Sequence, residues 1–505
     1  MTRRSSSTVT SIIVTSVCEY AVFSISRMTI KYCSTRGGES GVGFIDVLLN
    51  GMARDGGLYI PEEIPKIENF GETCKGKTYR EICMFIFSLF IHEDEISRFE
   101  LAQVINEAYA HFKVAEVVEA NENVVEGICV LELFHGPTFA FKDVALQLLG
   151  GLFSLVLKKK QRKLLILGAT SGDTGSAALA GVVGKENVDC VILYPLGRVS
   201  EVQERQMTFF NSTSPGVHAV AVENSTFDDC QAVVKRLMSN EVFAREYSLG
   251  AVNSINWVRI LAQVVYYTFA VALIQQRRGN EDPVSFVVPT GNFGNILAGY
   301  YAKRMGVPIN RLIIASNQND VLPRFFNTGE YSTAAAVSPT LSPSMDICVS
   351  SNFERYLYYL FNKDHKRLKN EFEKLAATKS FQVTLAELEI ANSDFAAFAI
   401  TEEETVETMK NVHGKAGYLL CPHSAVGVAA AVKWRENHEE YLVCLATAHV
   451  GKFTDSFMHM QGIDEELRCA LKEGIPEGLK NLPAAKRKII EIGGVENFLK
   501  SNFCT

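Results

Sequence analysis

Residues 163–183 read K-L-L-I-L-G-A-T-S-G-D-T-G-S-A-A-L-A-G-V-V. The apolar run to Ala169 has strand character, the polar stretch 170–175 is a glycine loop, and the small-residue run after it is helical. The pattern recurs along the chain. V-I-L-Y-P (191–195) precedes an amphipathic stretch from Arg198 to Phe210, and V-H-A-V-A-V (217–222) leads into a helical pattern near Phe227. V-S-F-V-V-P (284–289) runs into T-G-N-F-G-N and then I-L-A-G-Y-Y-A-K-R-M, with R-L-I-I-A-S (311–316) close behind. Y-L-L-C-P (418–422) precedes H-S-A-V-G-V-A-A-A-V, and Y-L-V-C-L-A (441–446) precedes T-A-H-V-G-K-F. Short strands alternating with helices predict an α/β protein with mostly parallel sheet.

In open α/β sheets, ligands bind beyond the carboxyl ends of the strands. Loops 170–175, 290–295, 422–427 and 447–451 sit at such ends and are rich in Gly, Ser, Thr and His. Chemistry is expected there. Segment 28–120 is more helical and charged, with I-C-M-F-I-F-S-L-F-I at 82–91, and 363–415 reads as helical insertions on the core.

The bulk numbers narrow the class. The 505 residues are 47% hydrophobic and 21% charged, as in a soluble globular protein of two to four domains. A formal net charge of -7 and the absence of long basic blocks point away from nucleic acid and anionic membranes. No uncharged apolar stretch of about 18 residues marks a membrane span. Twelve cysteines without C-x-x-C pairs read as reduced, mostly buried thiols, and the histidines show no H-E-x-x-H pattern, so neither disulfides nor a metal is expected. Residues 1–27 are rich in Ser and Thr with no acid before Glu19; they read as a tail outside the fold or as a transit peptide, with Met28 an alternative start.

T-G-N-F-G (290–294) follows a strand and opens a helix, so its backbone N–H groups and the helix terminus suit a phosphate. It is neither a P-loop nor a G-x-G-x-x-G fingerprint, and a tight turn without ligand fits equally. A-T-S-G-D-T-G-S (169–176) suits a carboxylate, although N-capping by Thr174 or Ser176 explains the same residues. In F-H-G-P-T-F-A-F-K-D-V (134–144), Phe134, Phe139 and Phe141 crowd Lys142. Such a lysine is either a surface residue whose aromatic neighbours point away or an amine nucleophile of depressed pKa. An amine with two anion-ready loops is what pyridoxal phosphate requires.

These stretches resemble threonine synthases of the fungal and enterobacterial branch, which are fold-type-II pyridoxal-phosphate enzymes. The matching motifs are Y-C-S-T-R-G (32–37), D-G-G-L-Y-I-P (55–61), L-E-L-F-H-G-P-T-F-A-F-K-D-V-A-L-Q (131–147) and G-A-T-S-G-D-T-G-S-A-A (168–178). G-A-V-N-S-I-N-W-V-R-I-L-A-Q (250–263), P-T-G-N-F-G-N-I-L-A-G-Y (289–300), S-P-S-M-D-I (342–347), P-H-S-A-V-G (422–427) and L-A-T-A-H (445–449) follow in order.

The resemblance implies a tryptophan synthase β-like fold: an extension (1–27), a helical N-terminal domain (28–120), a core of two α/β lobes (121–465) and a helical tail (466–505). It implies that Lys142 is the Schiff-base lysine, that Gly291, Asn292, Phe293, Gly294 and Asn295 cradle the cofactor phosphate, and that the Thr447 hydroxyl meets the pyridine nitrogen. Ser171, Gly172, Asp173 and Thr174 are implied to hold the substrate carboxylate. Asn253, Ser254, Asn256 and Arg259 are implied to line the substrate site, with Arg259 for the substrate phosphate. The implied reaction converts O-phospho-L-homoserine and water into L-threonine and phosphate, in a cytoplasmic monomer or homodimer (or an organellar one, if 1–27 is a transit peptide).

Three positions depart from the family pattern: Asn295 and Cys421 each stand where Asp is usual, and Val450-Gly451 replaces Pro-Ala. Threonine or serine dehydration, or β-replacement, on the same fold is the nearest alternative; those enzymes lack the F-H-G-P-T-x-A-F-K-D string. A non-catalytic relative would be marked by loss of Lys142 or Thr447, and both are present.

Overall fold

The computed structural model describes residues 29–251, 253–453 and 462–503, so the 1–27 extension lies outside the described residues. Its centre is a six-stranded sheet in the order Phe395–Ala399, Ile309–Ser316, Val284–Pro289, Leu442–Ala446, Ile128–Glu132, Glu119–Val125. All neighbours are parallel except the edge strand Glu119–Val125, which runs antiparallel to Ile128–Glu132. Strands such as V-S-F-V-V-P are buried at every position because helices cover both faces, which explains their unbroken apolar runs.

A second, fully parallel sheet is ordered Lys488–Ile490, Val217–Val222, Val188–Pro195, Leu164–Ala169, Leu249–Gly250. The helices Lys142–Lys160 and Trp257–Arg278 flank its four strands between Leu164 and Gly250 in the sequence and carry the chain between the two sheets. Gly150 and Gly181 let the first of these press onto the helix Asp173–Val182: a Cβ on Gly150 would stand 1.9 Å from the Gly181 carbonyl oxygen, so no larger residue fits that crossing.

Three expectations need refining. The C-terminal segment is not only helical, because Lys488–Ile490 pairs with Val217–Val222 and the helix Val495–Asn502 buries Val495 and Leu499 in the core of the second sheet. The insertion 363–415 holds helices but also supplies Phe395–Ala399, an edge of the main sheet; F-A-A-F-A has no period-2 pattern to betray it. The N-terminal segment adds an antiparallel pair, Tyr32–Ser34 with Tyr59–Pro61, to its capped helices Tyr79–Phe90 and Arg98–Ala108.

Among the described residues, the helix Trp257–Arg278 is the one candidate for a membrane span. It is long and apolar enough to cross a membrane by length and composition, and 94% of its apolar window is buried inside the protein. Its 22 residues pack against the N-terminal helices, the helix Lys142–Lys160 and the helix Gly294–Met305, so it reads as a core helix.

Candidate active site

Neighbouring strands of the main sheet deliver the predicted groups to one place. Val284–Pro289 ends in the glycine loop, Leu442–Ala446 ends at Thr447, and Ile128–Glu132 leads into the loop that carries Lys142. The strand Leu164–Ala169 of the second sheet ends facing them with residues 170–175. Lys142, Asp173, Thr174, Ser254, Arg259, Gly291 to Asn295 and Thr447 line one cavity, together with Gln263, Ser344, Met345 and His423.

Lys142 opens the helix Lys142–Lys160. The turn before it is fixed by Phe139, whose φ of 59° is unusual for a non-glycine residue. It is held by the backbone: Phe141 N donates to Thr447 O at 2.8 Å, and Ala140 forms an isolated bridge with Ala448. The next residue, Asp143, accepts from Thr138 N at 2.8 Å and Thr138 Oγ1 at 2.7 Å. Burial pushes the Asp143 carboxyl up to about 6, against these hydrogen bonds.

The Lys142 ammonium lies 3.7 Å from Asp173 Oδ2, its side chain 11% exposed. Burial lowers its pKa, Asp173 opposes that, and Arg259 and Lys452 add to it. Asp173 is ionised well below the usual carboxylate range: burial resists its charge, but Lys452, Lys142 and a hydrogen bond from Gln203 outweigh burial.

The glycine loop is built as an anion cradle. Asn352 donates both its backbone N–H and its side-chain Nδ2 to Asn292 O at 3.1 Å, and Ser350 Oγ donates to Gly291 O at 2.7 Å. With the carbonyls anchored on that side, the planar trans peptides turn their N–H groups the other way. A Cβ on Gly291 would stand 2.9 Å from Ser344 O, so the loop tolerates only glycine there. Phe293, at φ 61°, caps the helix Gly294–Met305 without a side-chain acceptor, which leaves the helix terminus open to an anion.

Several donors around this cavity lack partners among the described residues. Arg259 Nε and Nη1, Asn295 Nδ2 and His423 Nδ1 are buried without a hydrogen bond. Burial brings the Arg259 guanidinium down to about 10, which still leaves it charged at neutral pH. His423 Nε2 accepts from Ser344 N at 3.1 Å, so the neutral ring carries its proton on Nδ1; burial holds its pKa down to about 4. A buried set of unmatched donors beside a buried amine fits an anionic ligand that also reacts with an amine, and pyridoxal phosphate with a phosphorylated amino acid meets both conditions.

Not every predicted residue reaches the cavity. Asn256 is fully buried but committed to the fold: it caps the helix Trp257–Arg278 through Val258 N at 3.0 Å and donates Nδ2 to Leu48 O at 3.0 Å. Ser171, Gly172 and Asn253 are outside the lining; Ser171 is exposed, and Gly172, at φ 140°, shapes the turn. Ser254 is in the wall, 3.3 Å from Ser351 Oγ. Cys421 takes over the cap of the helix Pro422–Arg435, accepting from Ser424 N at 3.4 Å, while Ser424 Oγ accepts from Thr447 N. Gln263, Ser344, Met345, His423 and Lys452 received no role from the sequence, although most lie within motifs singled out there.

Sheet order, lysine position and glycine loop together define a fold-type-II pyridoxal-phosphate enzyme. Residues 116–447 match the pyridoxal-phosphate dependent enzyme family, residues 31–109 the threonine synthase N terminus, and residues 424–498 the threonine synthase C-terminal family. The chain is 44% identical to threonine synthase of Schizosaccharomyces pombe over 459 residues, 84% of this chain and 88% of that one. A crystal structure of PLP-bound threonine synthase from Brucella melitensis superposes with a TM-score of 0.84 at 40% identity, covering 94% of this chain and 99% of that one. The yeast threonine synthase crystal structure gives 0.85 at 38%, covering 94% and 98%. The chain belongs to the threonine synthase family.

Proposed function

We propose that the protein catalyses the conversion of O-phospho-L-homoserine and water to L-threonine and phosphate with pyridoxal phosphate. The observation that carries this reading is the buried Lys142 amine facing a cavity whose donors, Arg259, Asn295 and His423, have no partners of their own. When bound, the cofactor supplies an electron sink that makes the Cα and Cβ protons of the substrate removable.

The chain's own residues do the rest. Lys142 Nζ is the base that accepts and returns protons; burial and the neighbouring cations favour its neutral form. The cradle Gly291–Asn295 fixes the cofactor phosphate, and Thr447, next to it on the adjacent strand, offers a hydroxyl to the ring nitrogen. A hydroxyl leaves that nitrogen less firmly protonated than a carboxylate would. Thr174, at the start of the helix Asp173–Val182, suits the substrate carboxylate. Arg259, buried and unpaired, suits the phosphate that leaves, with Ser254 beside it in the wall. All of these come from one chain, so the reading needs no partner subunit. We place the protein in a reducing compartment, the cytoplasm, because among the described residues the cysteines are unpaired and mostly buried.

The test is to purify residues 28–505 with pyridoxal phosphate and measure products from O-phospho-L-homoserine. Equal release of threonine and phosphate is expected. Bound cofactor without either product would overturn the substrate assignment and direct attention to serine and threonine.

A further inference from the structure

Lys452 is the other buried ammonium group near the site, and the reaction described above does not use it. It closes a turn, Val450–Lys452, capped by His449, whose Nδ1 accepts from Gly451 N at 3.1 Å, and it is fully buried. Its three N–H donors meet three acceptors: Asp173 Oδ1 at 3.2 Å, Thr138 O at 2.6 Å and Gln206 Oε1 at 2.8 Å. Each acceptor belongs to a different part of the site. Thr138 holds Asp143 in the loop that bears Lys142, Asp173 opens the helix after the 170–175 loop, and Gln206 lies on the helix Glu201–Thr208.

We propose that Lys452 is a positioning residue: its ammonium staples the 170–175 loop to the Lys142 loop and occupies the Asp173 carboxylate that would otherwise retain Lys142 as an ammonium. The geometry is asymmetric in the required sense. Asp173 turns Oδ1 to Lys452 at 3.2 Å, where Gln203 also donates, and leaves Oδ2 to Lys142 at the longer 3.7 Å. The other groups facing Lys142 do not substitute for Lys452. Arg259 is cationic but makes no contact with Asp173 that would compete for it, His423 is held neutral by burial, and Asp143 is already bound by Thr138. Without the Lys452 charge, Asp173 would bind the Lys142 proton more firmly. The amine would then become a base only at higher pH.

The inference rests on Lys142 being the cofactor-binding amine, and its test does not depend on the amino-acid substrate. Apoprotein of the full chain is mixed with pyridoxal phosphate, and the rate of capture is followed by absorbance across pH. In capture, the neutral Lys142 nitrogen forms a bond to the aldehyde carbon, and the aldehyde oxygen departs as water. For Lys452→Gln, which keeps a hydrogen-bonding side chain but no charge, the pH at which capture becomes half-maximal should rise by about one unit, making capture about tenfold slower below it. Lys452→Arg keeps the charge and should stay within about twofold of the parent.

An unshifted profile in folded Lys452→Gln would overturn the proposal. Should the glutamine variant not fold, Lys452→Arg decides the matter: a profile displaced by a full unit there would show that the charge does not set the behaviour of Lys142. Absence of capture by the parent protein would sink the pyridoxal-phosphate reading itself, an outcome distinct from both.

Discussion

The Tyr267 hydroxyl donates to Asn295 Oδ1 at 2.9 Å, on the side of the amide opposite the unpartnered Nδ2. Tyr266 brings its hydroxyl to 2.5 Å from the same oxygen. With Oδ1 engaged by two hydroxyls, Nδ2 is left as an unpartnered buried donor in the wall of the phosphate cradle. An aspartate at this position would turn a second oxygen toward the phosphate. Asn295→Asp should therefore weaken cofactor binding, by about tenfold, since an anion would face an anion where a donor now stands. Equilibrium dialysis of pyridoxal phosphate against both forms checks this, and equal affinities would mean that Nδ2 does not meet the phosphate.

Lys142→Ala removes the buried amine. The absorbance of cofactor bonded to the Lys142 nitrogen and turnover should disappear together. The cradle is untouched, so the variant should still bind pyridoxal phosphate reversibly, with a loss of affinity that fluorescence quenching can measure. Turnover in that variant would refute the assignment.

Arg259 should show a conflict between stability and function. Its Nε and Nη1 lack partners and burial disfavours its charge. Arg259→Met should raise the unfolding free energy of the apoprotein by about 1–3 kcal/mol, because an uncompensated buried charge is removed. The same change should lower kcat/KM by about a hundredfold or more if the guanidinium holds the leaving phosphate. Urea unfolding and steady-state kinetics on one preparation test both halves.

Acid should destabilise the fold through buried histidines. Burial holds both His423 and His449 down to about 4, against an unperturbed value near 6.5. Below about pH 6.5 the unfolded chain takes up protons that the folded chain refuses, so each histidine stabilises the fold above 6.5 and loses that contribution as pH falls toward 4. The slope is about 1.4 kcal/mol per pH unit for each histidine in that window. His423→Gln should remove one histidine's share, which urea midpoints at ~pH 7.5 and ~pH 5 would reveal.

The sequence located the loops that line the cavity because their pattern is local. Strand, glycine loop and helix follow one another within 163–183 and 284–305, and a run of apolar residues before Gly-rich polar ones reads the same in one dimension as in three. Lys142 was legible for the same reason: three phenylalanines and a proline surround it in the chain. Asn256 misled the reading because a polar residue in a motif looks functional until its two hydrogen bonds, to Val258 N and Leu48 O, are seen to be used up. The edge strand Phe395–Ala399 stayed hidden since alanine and phenylalanine without alternation do not distinguish strand from helix.

The chain's own order of residues thus determined the α/β alternation, the glycine loop, the lysine that lines the cavity beside it and the family. What the tertiary structure decided is who faces whom. Lys452 lies 310 residues beyond Lys142, and nothing in its turn V-G-K-F announces a charge that will meet Asp173, Thr138 and Gln206. Whether an aspartate carries a proton, and whether a lysine gives one up, depends on burial and on charges a few ångströms away. Those distances are set by how two sheets pack, a relation between segments that no single segment contains.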